Sequence, residues 1–343
     1  AFGLVLVPTI SMGALFPVVV KIVGSLETGV GEPAGQVYAF NTLGGIVGSF
    51  LAAHVFIRFL GLENALLVAT AVSVAIGVVW LLFSPTGRPV YRSIAAVIMT
   101  ALAVVGVVLV PQWEPLFINS GPYMYSDILD RNFPEDLDLR DYLHDTERVL
   151  FHQEGVEATV SVMEWRRNKM RTLRINGKID ASSRKDMPTQ ILSAHLPLMV
   201  HKDPKKVMII GLASGVSAGS ALLHPVERVD CAEISPAVVA ASRLFKEIGA
   251  SKLDYEDPRF NLIMDDGRHF LDLSEEKYDV IIAEPSNPWI SGMSVLFTRE
   301  FFEIMKSRLN PDGVALIWIG AYDMDAYTVR MLLRTFNEVF DNC

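Results

Sequence analysis

Four places in the C-terminal part of this chain carry residue types suited to holding a nucleoside. Gly211 and Gly215, then Glu233, then Asp265-Asp266-Gly267, then Glu284-Pro285-Ser286-Asn287-Pro288-Trp289 follow successive apolar runs. Glycines let a backbone turn tightly and approach a ligand where a Cβ would intrude. Glu233, 22 residues past Gly211, is placed to accept hydrogen bonds from two ribose hydroxyls, as acids after the second strand of such units do. Each feature alone has a plain structural explanation, as a turn glycine, a surface acid or a helix cap. Their succession at consecutive strand ends is what singles them out.

The elements that must position them form a strand–turn–helix series. Val207–Ile210 reads as the first buried strand, and a second ends at Glu233. Phe260–Met264 is the third. Tyr278–Ala283 is an unbroken apolar run of the kind expected for a buried parallel strand. Val314–Ile319 follows the turn Asn310-Pro311-Asp312-Gly313 as a fifth. Helices are predicted over 189–200, Ser235–Ile248, Thr298–Leu309 and Met324–Phe340. Ser235-Pro236 supplies a cap and a first-turn proline. The expected fold is a Rossmann-like, methyltransferase-type doubly wound α/β sheet, with ligands at the carboxyl ends of the strands. Ahead of it, Thr159–Met163 alternates, and Thr172–Ile175 does so before Asn176-Gly177, a strong hairpin signal. A small antiparallel β-hairpin module is therefore expected to precede the sheet. Arg166–Arg171 reads as its solvated tip, with contact to anionic lipid as the sharper alternative.

The N-terminal third is physically different. Residues 1–112 carry four Lys/Arg and three acids, whereas 113–343 carry 26 basic and 36 acidic residues. The first segment contains four uncharged runs, Ala1–Val20, Pro33–Ile57, Asn64–Gly87 and Ser93–Trp113. Each approaches the roughly 20 residues that cross a bilayer as helix. Gly44, Gly45, Gly48 and Ser49 give the small-residue spacing that lets membrane helices pack closely. The first run lacks the basic start and cleavage site of a signal peptide. The expectation is a multi-span α-helical membrane region, read as part of a longer protein because the chain opens in mid-span. The sheet likewise lacks the two closing strands usual after its last helix. The domain reading is 1–112 membrane helices, 113–146 linker, 147–200 small β module with lead-in helix, and 201–343 Rossmann-like domain. Cys231 and Cys343 suggest neither a disulfide framework nor a metal site, and the seven His residues show no metal-ligand spacing. A net charge of −9 argues against nucleic acid and suits small cationic substrates.

With these residues in view, the segment from about Phe151 to Phe340 resembles the spermidine synthase family, the aminopropyltransferases. The resemblance rests on Leu173–Asp180 (LRINGKID), Thr189–Leu198 (TQILSAHLPL), Asp203–Gly215 (DPKKVMIIGLASG), Asp257–Arg259, Asp266-Gly267, Tyr278–Ile282 and Leu296–Phe302. The apolar stretches 8–17 and 38–49 resemble membrane-fused bacterial members. The resemblance implies transfer of an aminopropyl group from decarboxylated S-adenosylmethionine to a di- or polyamine. Gly211, Ser214, Gly215, Glu233, Asp266, Gly267 and Gln190 would lie about the cosubstrate, with no metal. Trp289–Leu296 would gate the substrate. The partners implied are a small cationic amine and the lipid bilayer, with a homo-oligomer left open. The implied location is a bacterial inner membrane, the soluble domain facing the cytoplasm where the nucleoside is made.

The chemistry requires an ammonium to lose a proton before its nitrogen displaces a sulfonium-bound carbon, a task suited to a carboxylate. The family's Asp-x-x-Asp-Pro is here Glu284-Pro-Ser-Asn287-Pro288, so Glu284 and Asn287 are the catalytic candidates. The family's acidic residue in its glycine turn, which meets the aminopropyl ammonium, is replaced by Ser214. Thr189 stands in place of the family's Tyr before Gln190. These departures keep two alternatives open: an S-adenosylmethionine-dependent methyltransferase, or a nucleoside- or polyamine-sensing domain coupled to a membrane unit.

Overall fold

A computed structural model describes residues 2–24, 31–84, 87–109, 112–125, 138–322 and 324–340. Residues 25–30, 126–137 (within the expected 113–146 linker) and Cys343 lie outside the described residues. The chain divides into two compact units, Ala1–Val110 and Pro111–Cys343.

In the first unit, helices occupy all four uncharged runs: α1 (Phe2–Gly24), α2 (Gly31–Leu51), α3 (Arg58–Phe83) and α4 (Pro89–Leu109). A π-helical turn, Ala52–Ile57, joins α2 to α3, and Gly61 (φ 79°, ψ 169°) kinks α3. The stretches Ala34–Phe83 and Pro89–Leu109 are long and apolar enough to cross a bilayer by length and composition. Large apolar side chains face outward along them, among them Phe40, Phe59, Phe83 and Leu109. Polar side chains bond back to their own helices: Thr70 to Leu66 O and Ser73 to Ala69 O, both at 2.8 Å. Among the described residues, no close packing forms at Gly44, Gly45 and Gly48. A Cβ at any of them would meet nothing within 4 Å.

The second unit begins with α5 (Pro115–Ile118) and α6 (Leu139–Thr146). Leu116 and Leu143 are buried against Met163 of the sheet that follows. That sheet is an antiparallel meander in the order β1 (Glu147–Glu154), β2 (Thr159–Trp165), β3 (Arg171–Ile175) and β4 (Lys178–Ser182). The predicted module is thus a four-stranded sheet rather than a lone hairpin. Asn176 and Gly177, both at positive φ, turn β3 into β4. In the hairpin before it, Val160–Glu164 pairs with Arg171–Ile175 across the Arg166–Met170 turn, where the basic stretch is expected as a tip. That turn is only partly solvated. Arg166 Nε donates to His144 O at 2.8 Å, and Arg171 is buried against Glu164 and Glu247.

After α7 (Met187–Val200) comes the parallel sheet. Its strands are β5 (Lys206–Ile210), β6 (Arg228–Ala232), β7 (Phe260–Ile263), β8 (Tyr278–Ala283) and β9 (Leu309–Ile317), in the order β7-β6-β5-β8-β9. Helices α8 (Val216–Ala221), α9 (Pro236–Glu247), α10 (Gly267–Leu273), α11 (Arg299–Ser307) and α12 (Ala326–Asn337) alternate with them. Strand alternation sends successive side chains to opposite faces. Val207, Ile209, Val229, Cys231, Val280 and Ile282 pack with Ala241 and Phe245 of α9 on one side. Met208, Ile210, Ile281 and Ala283 pack with Phe301, Phe302 and Met305 of α11 on the other. Both faces are covered, which is why the strands read as continuous apolar runs. β9 starts earlier than predicted: Leu309 pairs with Tyr278, and the Asn310–Gly313 turn bulges out before Val314 pairs with Val280.

Candidate active site

Parallel register sets the site. Ile210 pairs with Ala232 and Ala283, and Ala232 with Ile263, so these strand ends share one edge. The next residues, Gly211, Glu233 and Glu284, therefore leave the sheet side by side.

At the end of β5, Gly211 turns at φ 91° and donates its N–H to Ala232 O at 2.9 Å. Gly215, at φ 75°, opens α8 in the left-handed conformation that a glycine adopts without penalty. Between them Ala213 holds φ 45°, an uncommon state for a residue with a Cβ. Ser214 is buried and donates its hydroxyl to Gln190 Oε1. Gln190 in turn donates Nε2 to Ser182 O at 3.1 Å and to Asp186 Oδ2 at 3.2 Å, joining α7 to β4.

Glu233 is nearly buried. Its Oε2 accepts the N–H of Leu212 at 3.0 Å and its Oε1 that of Ser235 at 2.9 Å. Burial pushes its carboxyl above the usual range, opposed by the backbone N–H groups of Ser235, Leu212, Ile234 and Ala213. Two of these N–H groups bond it directly, one on each oxygen, so both oxygens are fixed at the strand end. Beside it, Ile234 and Met264 keep half their surface exposed, leaving apolar faces along the same edge. Asp266 caps α10 through Oδ1, which accepts His269 N at 2.8 Å, and its own N–H is held by Asp265 Oδ1. Gly267 begins α10 directly after it.

Glu284 turns its carboxylate toward α7 and α8, where the hydroxyl of Ser217 donates to Oε2. Burial raises its pKa from the ordinary carboxylate value, with Ser217 and Ser193 opposing. Ser217 Oγ also lies 3.0 Å from Gln190 O, so one proton serves two acceptors. Asn287 is fully buried and uses both ends of its amide: Nδ2 donates to Gly320 O at 3.2 Å, and Oδ1 accepts from Tyr322 at 3.3 Å. Along the gate segment, Trp289 is half-exposed and Gly292 (φ 85°) starts a 3-10 turn, Met293–Phe297.

The structure thus links Ser214, Gln190 and Ser217 to Glu284 in one hydrogen-bonded chain, and ties Glu233 to the glycine turn. Asp266 shares the edge but serves its own helix. Sequence reasoning missed a second carboxylate. Asp180 Oδ1 accepts Ser286 Oγ at 2.7 Å and pairs with the buried Lys178 at 2.5 Å. Asp180 sits at a bulge of β4, where Arg174 pairs with Ile179 and Leu173 with Ala181, so alternation read from LRINGKID does not place it.

Residues 189–343 match the spermine/spermidine synthase domain. A polyamine aminopropyltransferase from Pectobacterium atrosepticum is 32% identical over 200 residues, covering 56% of this chain and 68% of its own. Putrescine N-methyltransferase 2 from Nicotiana tabacum is 32% identical over 172 residues, covering 50% of this chain and 48% of its own. The crystal structure of spermidine synthase from Thermotoga maritima shares the fold. Its TM-score is 0.50 at 24% identity, covering 57% of this chain and 65% of that one. The chain spans about half to two thirds of the length of the curated relatives it matches. A Rossmann-like sheet, a glycine turn tied to an acid on the neighbouring strand, and matched length in a polyamine aminopropyltransferase agree: the chain belongs to the spermine/spermidine synthase family.

Proposed function

We propose that this chain is a membrane-embedded aminopropyltransferase that takes decarboxylated S-adenosylmethionine as donor and a di- or polyamine as acceptor. The observation that carries the reading is Glu233, held by Leu212 and Ser235 at the strand-end edge with one N–H on each oxygen. Two ribose hydroxyls would donate to this carboxylate, with Ile234 and Met264 offering apolar surface to a flat base. Asp266 would keep one oxygen for the adenine amino group while the other caps α10. Gly211, Ser214 and Gly215 would line the donor's sulfur end, with Gln190 fixing Ser214. The amine nitrogen attacks the methylene on the sulfonium, the C–S bond breaks, and sulfur leaves as a neutral thioether. The amine's proton passes to Glu284, a carboxylate whose pKa burial raises. Asn287 acts by holding the loop after β8 against Gly320 and Tyr322 rather than as a base.

A second reading, methyl transfer from S-adenosylmethionine, is favoured by one observation. Ser214 sits in a neutral hydrogen bond with Gln190, so no carboxylate there repels the carboxylate of the undecarboxylated donor. The putrescine N-methyltransferase relative accords with it. Mass spectrometry of the products separates the two. The full chain in detergent is given putrescine with either donor. Methylthioadenosine with spermidine supports aminopropyl transfer, and S-adenosylhomocysteine with N-methylputrescine supports methyl transfer.

The domain reading is 1–112 in the bilayer, 113–146 leading out of it, 147–200 the β module, and 201–343 the catalytic domain, on the cytoplasmic side where the nucleoside donor is made. The bilayer placement draws support from apolar side chains facing outward and from hydroxyls bonded back to their own helices, as a medium without water requires.

A further inference from the structure

Helix α7 carries no charged residue from Met187 to Val200. On one side of it, Ala194 and Leu198 pack into the core on the α9 side of the sheet. The opposite side is apolar too and lies open. Leu192, Leu196, Met199 and Val200, spaced along one helical face, are 47%, 51%, 72% and 72% exposed. Leu223, 67% exposed, extends this surface. It is drawn up to α7 because the next residue, His224, meets His195 of that helix at 2.6 Å between ring nitrogens. A helix on the surface of a soluble core turns polar residues outward, and one that is apolar all round lies inside a protein or against lipid. The ends of α7 differ from its middle. Arg184 and Lys185 precede it and Lys202 follows it, all exposed. None of the three pairs with a carboxylate among the described residues, and the neighbouring acids are engaged elsewhere. Asp186 accepts from Ser182 and Gln190, and Asp203 pairs with Lys205 at 3.0 Å.

We propose that this face of α7 is an interfacial anchor that rests on an anionic lipid surface. The inference rests on the reading that α1–α4 hold the chain in a bilayer, and it adds a second contact made by the catalytic unit itself. The apolar stripe enters the boundary between headgroups and acyl chains. Arg184, Lys185 and Lys202 meet lipid phosphates at the two ends of the helix. Apolar burial and attraction to anionic lipid add in helices that lie in this boundary. A second copy of the chain fits the surface less well, because a two-fold contact sets one patch against itself. An antiparallel mate brings Lys202 to Arg184 and Lys185, and a parallel one brings each cation to its like. Anionic headgroups neutralise all three. Tethering by the spans keeps lipid at high effective concentration, so a stripe of five side chains suffices.

The test is nitroxide labelling of the full chain in lipid nanodiscs containing phosphatidylglycerol, with Cys343→Ser leaving only the buried Cys231. Collision rates with oxygen and with a water-soluble nickel complex give the depth of each label. A label on Leu196→Cys is expected roughly 5–10 Å below the lipid headgroups. One on Val72→Cys of α3 should lie in the acyl core, and one on Glu300→Cys of α11, on the opposite face of the sheet, in water. Arg184→Gln, Lys185→Gln and Lys202→Gln together should move the label at position 196 out toward water and leave that at position 72 in place. A label at position 196 as exposed to nickel as that at position 300, or dipolar coupling between the labels of two copies there, overturns the anchor while the spans stand. A depth unmoved by the triple replacement overturns its anionic partner. A label at position 72 exposed to nickel overturns the membrane reading as well.

Discussion

The hydroxyl of Ser214 donates to Oε1 of Gln190, so a neutral pair fills the turn between β5 and α8, where the proposed function puts the donor's tail. Donor choice should then be adjustable at this one position. Ser214→Asp is expected to shift preference from S-adenosylmethionine toward its decarboxylated form by about tenfold, equivalent to ~1.4 kcal/mol. The comparison is of calorimetric affinities for the two donors. An unchanged ratio would mean that Ser214 does not face the donor's tail.

Glu284→Gln should reduce kcat by about 10²–10⁴-fold, the usual contribution of a positioned base. Because burial raises Glu284, the wild-type acid limb should lie above the ordinary carboxylate value, and it should vanish from the residual activity of the variant. Stability carries the same sign. A carboxyl raised in the folded state contributes stability that is complete below its unfolded value and lost as pH rises through the folded one. Denaturation of Glu284→Gln should thus show a flatter loss over that window. Glu233, also raised, keeps some slope in both proteins.

Asn287→Asp is expected to destabilise by about 1–3 kcal/mol, the range for a buried polar group left unsatisfied. The new carboxylate oxygen would face Gly320 O, where Nδ2 now donates. Thermal unfolding and turnover are measured together. A sharp rise in aminopropyl transfer would instead show that position 287 faces the reacting amine.

Much of this architecture was legible in the chain. The apolar runs at Val207–Ile210 and Tyr278–Ala283 became the paired central strands because both of their faces are covered. Uncharged runs became helices, whose internal hydrogen bonds need no outside partner. The meander was only half visible: β1 carries Arg148, His152 and Glu154 among its apolar residues, which blurs its alternation. Cross-chain pairings were harder still. Asp180 meets Ser286 across 106 residues, and Ser214 meets Gln190 across 24, contacts that exist only once β4 and α7 are docked on the sheet edge. Asn287 reads as a catalytic candidate in the sequence, where its burial against Gly320 and Tyr322, beyond the next strand, does not show.

Gly219→Ala probes the docking of α8. A Cβ there would lie 2.4 Å from Leu253 N and 2.8 Å from Lys252 C, both backbone atoms, so the helix must shift. The expected cost is about 1–3 kcal/mol, as for other overpacked sites, read from urea denaturation. Nucleoside affinity should fall with it, since α8 begins at Gly215. An unchanged denaturation midpoint would show that the loop at Lys252-Leu253 yields freely.

The claim on which the rest depends is that the edge beside Glu233 holds an adenosyl nucleoside. Calorimetric titration of methylthioadenosine into the full chain in detergent, wild type against Glu233→Gln, tests it most directly. The account predicts saturable one-site binding by wild type and a loss of at least tenfold in the variant, with the fold retained. No binding by wild type, or equal affinity in the two proteins, would contradict it.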